Sequence, residues 1–472
     1  MLLLEEKLQK SDVYKQEKQL KIGIIGAGYV GLVTSVGLAY KGLKILLYEK
    51  NSEKLSLLKK GISPFYEPDL QKFLQYSINS GNLVFIDEVS QLLKECKYIY
   101  ICVGTPIKED QTYDMYFLDF AAKEIASHLQ SNHQIIIIIK STVPPGTARW
   151  FKKIIQRYRR GKRTNIEVAS IPEFLREGNA IYDFFNPSRI VIGVDNPEIV
   201  DELTQIYHDF PAPIVIVSTV EAEIIKLASN AFLATKISFI NSISDLCEQF
   251  NCDIENVRRG IGLDNRIGLD FLKPGIGFGG SCLPKDLNAI ISIFKEKQID
   301  PILFEAVKKI NNERINLVVN KIKKALWNIK GKLITIWGIS FKAGTDDIRE
   351  SPVLKLIPIL LKEGANLVLY DPKATNNFKN QYPQYSVNPS VKIVEDIYES
   401  TLNSNLIVIT NDWEEYKKVN FEKIYELMET PIIVDARNIL DHENITEKGF
   451  EYYRIGVNYE SSRGIQSFEY PI

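Results

Sequence analysis

The amino-acid sequence predicts an α/β fold, two doubly wound parallel-sheet units joined by one long central helix. Three observations carry that prediction. An apolar strand, Lys21-Ile22-Gly23-Ile24-Ile25, runs into a glycine-spaced turn and then a helix. A helical pattern continues from Thr219 to about Phe250 with few turn formers. A second alternation of apolar strands and helical stretches begins at Lys332-Leu333-Ile334-Thr335-Ile336-Trp337-Gly338. At 472 residues the chain exceeds one core and calls for two or three domains. The expected division is an extension at 1–20, a first unit at 21–215, a central region at 216–328 and a second unit at 329–472.

Composition narrows the function classes. With 45% hydrophobic and 25% charged residues the chain reads as an ordinary soluble globular protein. A net charge of −1 supplies no field that would draw nucleic acid or an acidic membrane surface. The basic run Arg157–Arg163 reads as a solvated helix end entering a loop. Met1-Leu2-Leu3-Leu4 is too short for a signal peptide, and no stretch approaches a membrane span, so the cytoplasm is expected. Cys96, Cys102, Cys247, Cys252 and Cys282 are odd in number and scattered, against a disulfide framework. No histidine accompanies Cys247 and Cys252, so no metal site is expected. His128, His133, His208 and His442 lie outside the motifs, which leaves acid–base work to carboxylates, lysine or cysteine.

The first strand enters Gly26-Ala27-Gly28-Tyr29-Val30-Gly31 and a helix through Leu32 to Tyr40. The next strand, Lys44–Tyr48, ends at Glu49. A lone glycine triplet is weak evidence. This one follows a strand, opens a helix, and has an acid about 20 residues on, the dinucleotide fingerprint in its proper context. Gly26 makes the turn, Gly28 admits the pyrophosphate, Gly31 lets helix and strand pack, and the phosphates rest on the helix N-terminus. Glu49 would accept from the ribose hydroxyls and repel a 2′-phosphate, so NAD is the expected cofactor.

Tyr98–Val103 leads to Gly104-Thr105-Pro106, and Ile135–Ile139 leads to Lys140-Ser141-Thr142-Val143-Pro144-Pro145-Gly146-Thr147. Both are apolar runs ending in small polar residues, as buried parallel strands do before a ligand crevice. Ser170-Ile171-Pro172-Glu173-Phe174-Leu175-Arg176-Glu177-Gly178 places two carboxylates four apart around an arginine; the alternative is a loop closed by an ion pair. Strand Arg189–Gly193 closes the region.

The long helical pattern makes a rod of about 45 Å. Lys226 and Asn230 fall four apart on one face of it. A lysine among apolar neighbours ordinarily snorkels to the surface. Further on, Pro274-Gly275-Ile276-Gly277-Phe278-Gly279-Gly280-Ser281-Cys282-Leu283-Pro284-Lys285-Asp286 frees the backbone for close approach to a ligand and sets Cys282 before a helix, where amide dipoles favour a thiolate. Cys282 is the candidate nucleophile; the alternative is a glycine-rich turn beside an inert cysteine. Another amphipathic helix covers roughly Phe304 to Trp327. The last strands are Asn366–Tyr370, Asn405–Ile409 and Pro431–Val434. The turn Gly338-Ile339-Ser340-Phe341-Lys342 lacks the triple-glycine pattern, so the second unit is expected to bind something other than a second dinucleotide.

With these motifs in order the chain resembles the nucleotide-sugar dehydrogenases from Lys21 to about Leu440. The resemblance rests on Gly26–Gly31, Pro64-Phe65-Tyr66-Glu67-Pro68, Lys140–Gly146, Pro172–Gly178, Glu223 to Asn241, Gly277–Asp286 and Gly338–Pro352. It implies an N-terminal NAD-binding Rossmann domain, a long helix at a dimer core, and a C-terminal Rossmann-like domain that grips UDP. It further implies oxidation of a sugar C6 alcohol to a carboxylate with two NAD in succession, through a thiohemiacetal and a thioester on Cys282. Lys226 and Asn230 would hold the oxyanion, and Asp286, Thr142 and Glu173 would activate water. The implied cofactor contacts are Gly26, Gly28, Gly31, Glu49, Lys54, Thr105, Thr142, Glu177 and Arg349. The implied substrate contacts are Phe174, Leu175, Lys226, Asn230, Arg266, Phe271, Lys273, Gly279, Phe341, Lys342 and Arg437, with Arg266 supplied by a partner subunit of a homodimer.

Among substrates the motifs lie nearest the members acting on UDP-glucose. Ile171 stands where an asparagine is usual, Glu49 replaces the commoner aspartate, and Leu283 resembles the GDP-mannose enzymes, so GDP-mannose stays open. UDP-N-acetylmannosamine fits less well, since Phe174-Leu175-Arg176-Glu177 is intact. A sensor of NAD or nucleotide sugar without turnover predicts decayed chemistry, whereas Cys282, Lys226, Asn230, Asp286 and Glu173 are all present.

Overall fold

A computed structural model describes residues 20–458, apart from 109, 111, 131–133 and 161–164. The expected N-terminal extension, the end of the tail and the end of the basic run lie outside the described residues. The chain divides into two compact units, one of residues 20–106 and 113–226, the other of 107–112 and 227–458.

The first unit is an eight-stranded sheet: β1 (Lys21–Ile25), β2 (Lys44–Tyr48), β3 (Leu83–Ile86), β4 (Tyr98–Ile101), β5 (Gln134–Ile139), β6 (Asn165–Ser170), β7 (Ile190–Val194) and β8 (Ile214–Val217). Its order is β3-β2-β1-β4-β5-β6-β7-β8, parallel throughout except between β6 and β7. Strand residues alternate between two apolar layers. Ile22, Ile24, Ile136 and Ile138 enter one; Ile25, Ile135, Ile137 and Ile139 enter the other. That double burial is why β5 reads as an unbroken isoleucine run. Chain order reverses between β1 and β4, which opens a crevice at their carboxyl ends.

The long helix runs unbroken over Thr219–Gln249, close to the stretch read from the sequence. In the second unit it is followed by helices Ile254–Gly262, Leu283–Glu296 and Ile302–Leu326. The second sheet holds β9 (Leu333–Trp337), β10 (Asn366–Tyr370), β11 (Val391–Ile393), β12 (Leu406–Ile409), β13 (Ile432–Asp435) and β14 (Glu451–Arg454). Its order is β11-β10-β9-β12-β13-β14, all parallel. Both units are therefore doubly wound, as expected. β3, β6, β8, β11 and β14 complete sheets whose other strands the sequence displays.

Candidate active site

Gly26 turns the chain out of β1 at φ +98°, a conformation that penalises a side chain. Helix Tyr29–Tyr40 then begins with Gly28 as its cap, with no side-chain oxygen and no first-turn acid on its free amides. A Cβ at Gly28 would meet nothing within 4 Å. Bare amides and open space fit a pyrophosphate. Glu49, at the end of β2, accepts from the Ala27 amide at 2.8 Å, and Lys54 lies 4.0 Å from it. The fingerprint acid thus touches the glycine turn itself.

Two further strand ends meet at Thr105, which donates to the Thr142 carbonyl at 2.7 Å. The loop after Thr142 is held by Glu223 of the long helix, which accepts from the amides of Gly146 and Ala148. Burial pushes the Glu223 carboxyl up to about 7, against the pull of those amides. One turn on, Lys226 is only 3% exposed and pairs with Glu173 at 3.0 Å. Its ammonium also faces the Phe174 ring at 5.4 Å. Glu173 accepts from the Leu175 amide at 2.6 Å. Lys226 is therefore buried, and the snorkelling alternative fails. Arg176 pairs with Asp183 at 2.6 Å, so ion pairs do close this loop, with Glu173 turned to Lys226.

Lys140 carries no role in the sequence reading, although it directly follows a strand buried in five of its six residues. It is 9% exposed, and burial lowers its ammonium to about 8, with Cys102 and Glu173 opposing and Lys226 reinforcing that shift. The folded protein releases this proton near pH 8 and the unfolded chain near 10.5. The charge therefore costs about 3 kcal/mol below pH 8, and the cost fades as pH rises to the unfolded value. Lys140→Met is expected to gain roughly 1–3 kcal/mol in urea melts at about pH 7 and almost nothing near pH 10. Equal stability of the two proteins at pH 7 would contradict this account.

In the second unit Asn230 donates to the Asp286 carboxylate at 2.5 Å, and Lys285 meets the other oxygen at 2.6 Å. Asp286 is 1% exposed, so both partners offset its desolvation. Cys282 caps helix Leu283–Glu296: its carbonyl accepts from the Asp286 amide at 2.8 Å, and its half-buried thiol lies 3.4 Å from the Ser281 hydroxyl. Cysteine and carboxylate thus share one helical turn.

The glycine loop before Cys282 is packed on its own chain. Asn241 accepts from the Gly275 amide at 2.8 Å, and buried Arg314 donates to the Gly275 carbonyl at 3.1 Å. Asn311 clamps Phe278 from both sides, accepting from its amide at 2.8 Å and donating to its carbonyl at 3.0 Å. A Cβ at Gly279 would lie 2.2 Å from the Glu350 carbonyl oxygen. Residues 274–280 are all buried. These glycines serve close packing of the loop against its own unit, a role the sequence reading did not assign. Arg314 and Asn311 carry no role in the sequence reading, because single polar residues inside amphipathic helices give no local signal.

The second sheet repeats the crevice with a different lining. Its acid after β10, Asp371, accepts from the amides of Ile339, Ser340, Lys373 and Ala374 and from the Ser340 hydroxyl. With the Asn411 side-chain amide, which donates at 3.3 Å, six internal bonds stand where Glu49 is expected to hold a ribose. Arg437 donates to the carbonyls of Thr410 and Phe341, at 2.9 and 3.3 Å, beside half-buried Lys342. The other expected ligand residues are more open: Lys273 is exposed and Phe271 half-buried, while exposed Arg266 and Arg349 pair with Asp264 and Asp347.

Comparison with known proteins gives three family matches along the chain. The UDP-glucose/GDP-mannose dehydrogenase family's NAD-binding domain matches residues 20–211, its central domain 220–313 and its UDP-binding domain 335–442. The UDP-glucose 6-dehydrogenase of Rickettsia bellii is 42% identical over 445 residues, covering 93% of this chain and 99% of that protein. A Bacillus subtilis UDP-glucose 6-dehydrogenase is 40% identical over 437 residues, covering 93% and 98%. The structure is similar to a UDP-glucose dehydrogenase of Pyrobaculum islandicum at a TM-score of 0.86 and 31% identity, covering 94% and 99% of the two chains. The fingerprint, the half-buried cysteine at a helix start and this end-to-end similarity agree: the chain belongs to the UDP-glucose/GDP-mannose dehydrogenase family.

Proposed function

We propose that the protein is an NAD-dependent UDP-glucose 6-dehydrogenase, oxidising the C6 alcohol of UDP-glucose to the carboxylate of UDP-glucuronate. The observation that carries this reading is the pairing of a half-buried Cys282 with a buried, doubly bonded Asp286 on one helical turn. The Gly26–Gly31 turn and Glu49 would hold NAD, and two NAD in succession would supply the hydride acceptors for the two oxidations. The alcohol loses its proton to a base, and the resulting aldehyde is attacked by the Cys282 sulfur to give a thiohemiacetal. Lys226 and Asn230 stabilise the oxyanion. Loss of the second hydride leaves a thioester, which water cleaves to the acid and free thiol, with Asp286, Thr142 and Glu173 orienting and deprotonating that water.

In this reading Gly26, Gly28, Gly31, Glu49, Lys54, Thr105, Thr142, Glu177 and Arg349 contact the cofactor. Phe174, Leu175, Lys226, Asn230, Arg266, Phe271, Lys273, Gly279, Phe341, Lys342 and Arg437 contact the sugar nucleotide. Segments 21–215, 216–328 and 329–472 are the cofactor, central and nucleotide-sugar domains. The test is NADH formation on UDP-glucose, GDP-mannose and UDP-N-acetylmannosamine, with NADH counted per sugar. Turnover of UDP-glucose with about two NADH each is expected. One NADH with released aldehyde, or preference for another sugar, overturns the corresponding part.

We also propose a homodimer built on the long helix. Phe232, Phe239 and Leu246 recur at seven-residue spacing and are 65%, 50% and 53% exposed, an apolar stripe along one face. Phe239→Glu is expected to convert a dimer to a monomer in light scattering, and a wild-type monomer contradicts the proposal. Among the described residues no helix is long and apolar enough to cross a membrane. The free cysteines among these residues fit a reducing compartment, and we place the activity in the cytoplasm.

A further inference from the structure

The motif Pro64-Phe65-Tyr66-Glu67-Pro68 has no place in the mechanism above, yet it holds one of the most buried carboxylates of the first unit. Glu67 is 4% exposed. One of its oxygens accepts from the Tyr29 hydroxyl and from the Gly178 amide at 2.6 Å; the other accepts from the Ala180 amide at 2.7 Å. The Gly178 amide also reaches the Tyr29 hydroxyl at 2.9 Å. The Tyr29 ring stacks on Phe65 at 5.1 Å, which fixes the phenol from behind.

Tyr29 is the fourth residue of the glycine fingerprint and opens the helix on which the cofactor phosphates would rest. Gly178 ends the segment that carries Glu173, Phe174, Leu175 and Glu177, and turns the chain at φ +78°. Every contact described for Glu67 demands an acceptor, so a glutamine would set its NH₂ against a donor. Buried charge-assisted bonds of this kind fix geometry more tightly than neutral ones. We infer that Glu67 is a positioning residue that couples cofactor binding to the ordering of the 173–178 segment. This rests on the proposed binding of a sugar nucleotide by that segment.

If Glu67 transmits this coupling, each ligand should tighten the other, and removal of the carboxylate should uncouple them. The experiment titrates NADH by fluorescence with and without saturating UDP-glucose, a pair that cannot turn over. The wild type is expected to bind NADH at least about fivefold tighter with the sugar present. In Glu67→Gln that ratio should fall below about twofold. Tyr29→Phe, which keeps the two backbone contacts to Glu67, should give an intermediate ratio and serves as the deciding variant if Glu67→Gln does not fold. A wild-type ratio in both variants, with only a lowered melting temperature, would show a purely structural carboxylate and overturn the inference. So would a wild-type ratio near one. Should the substrate panel select a different sugar nucleotide, the ratio is measured with that one. The substrate reading then fails while the coupling is still decided.

Discussion

Cys282→Ser is expected to lower acid formation by about 10⁴-fold while leaving the melting temperature nearly unchanged. The substitution replaces one atom in a half-buried side chain at a helix cap, so packing has little reason to change. Chemistry has every reason to change. A thiol reaches its nucleophilic anion near neutral pH, and a helix start favours that anion, whereas a hydroxyl needs a separate strong base. The serine enzyme should therefore stall at the aldehyde and yield at most one NADH per sugar, read by NADH counting and by mass spectrometry of the sugar product. Acid formed at the wild-type rate would remove the thioester from the mechanism.

Lys226→Ala is expected to reduce kcat by about 10²–10³-fold and to destabilise the fold by about 3–5 kcal/mol. The two losses have different origins. Activity should fall because the positive charge proposed to stabilise the oxyanion is gone. Stability falls because Glu173, 6% exposed, loses its buried ammonium partner. Adding Glu173→Gln should therefore recover most of the stability and none of the activity, which separates the pair's structural role from its chemical one. Urea melts and steady-state rates on the single and double variants read both. Additive stability losses in the double variant would mean that the two residues do not act as a pair.

What could be read without coordinates has a common character. The Gly26–Gly31 turn, the isoleucine run of β5 and the periodicity of Thr219–Gln249 are local, each written in consecutive residues with a helix or strand period. Resemblance then supplied roles for Cys282 and its companions by matching short motifs. Val391–Ile393 left no comparable trace, since three residues cannot establish a period, and neither did Glu451–Arg454, which opens and closes on charged residues.

The sequence by itself determined the two doubly wound units, the NAD fingerprint and the cysteine that opens a helix. Only the tertiary structure decided the electrostatics around them. It buried Lys226 against Glu173, gave Arg176 to Asp183, and made Asp286 accept from Asn230. It also turned the glycines before Cys282 from presumed flexibility into a loop clamped by Asn241, Arg314 and Asn311. The physical reason is that a charge's partner is chosen by desolvation. A lysine on a helix reads the same whether its head reaches water or not, until a distant segment closes over it.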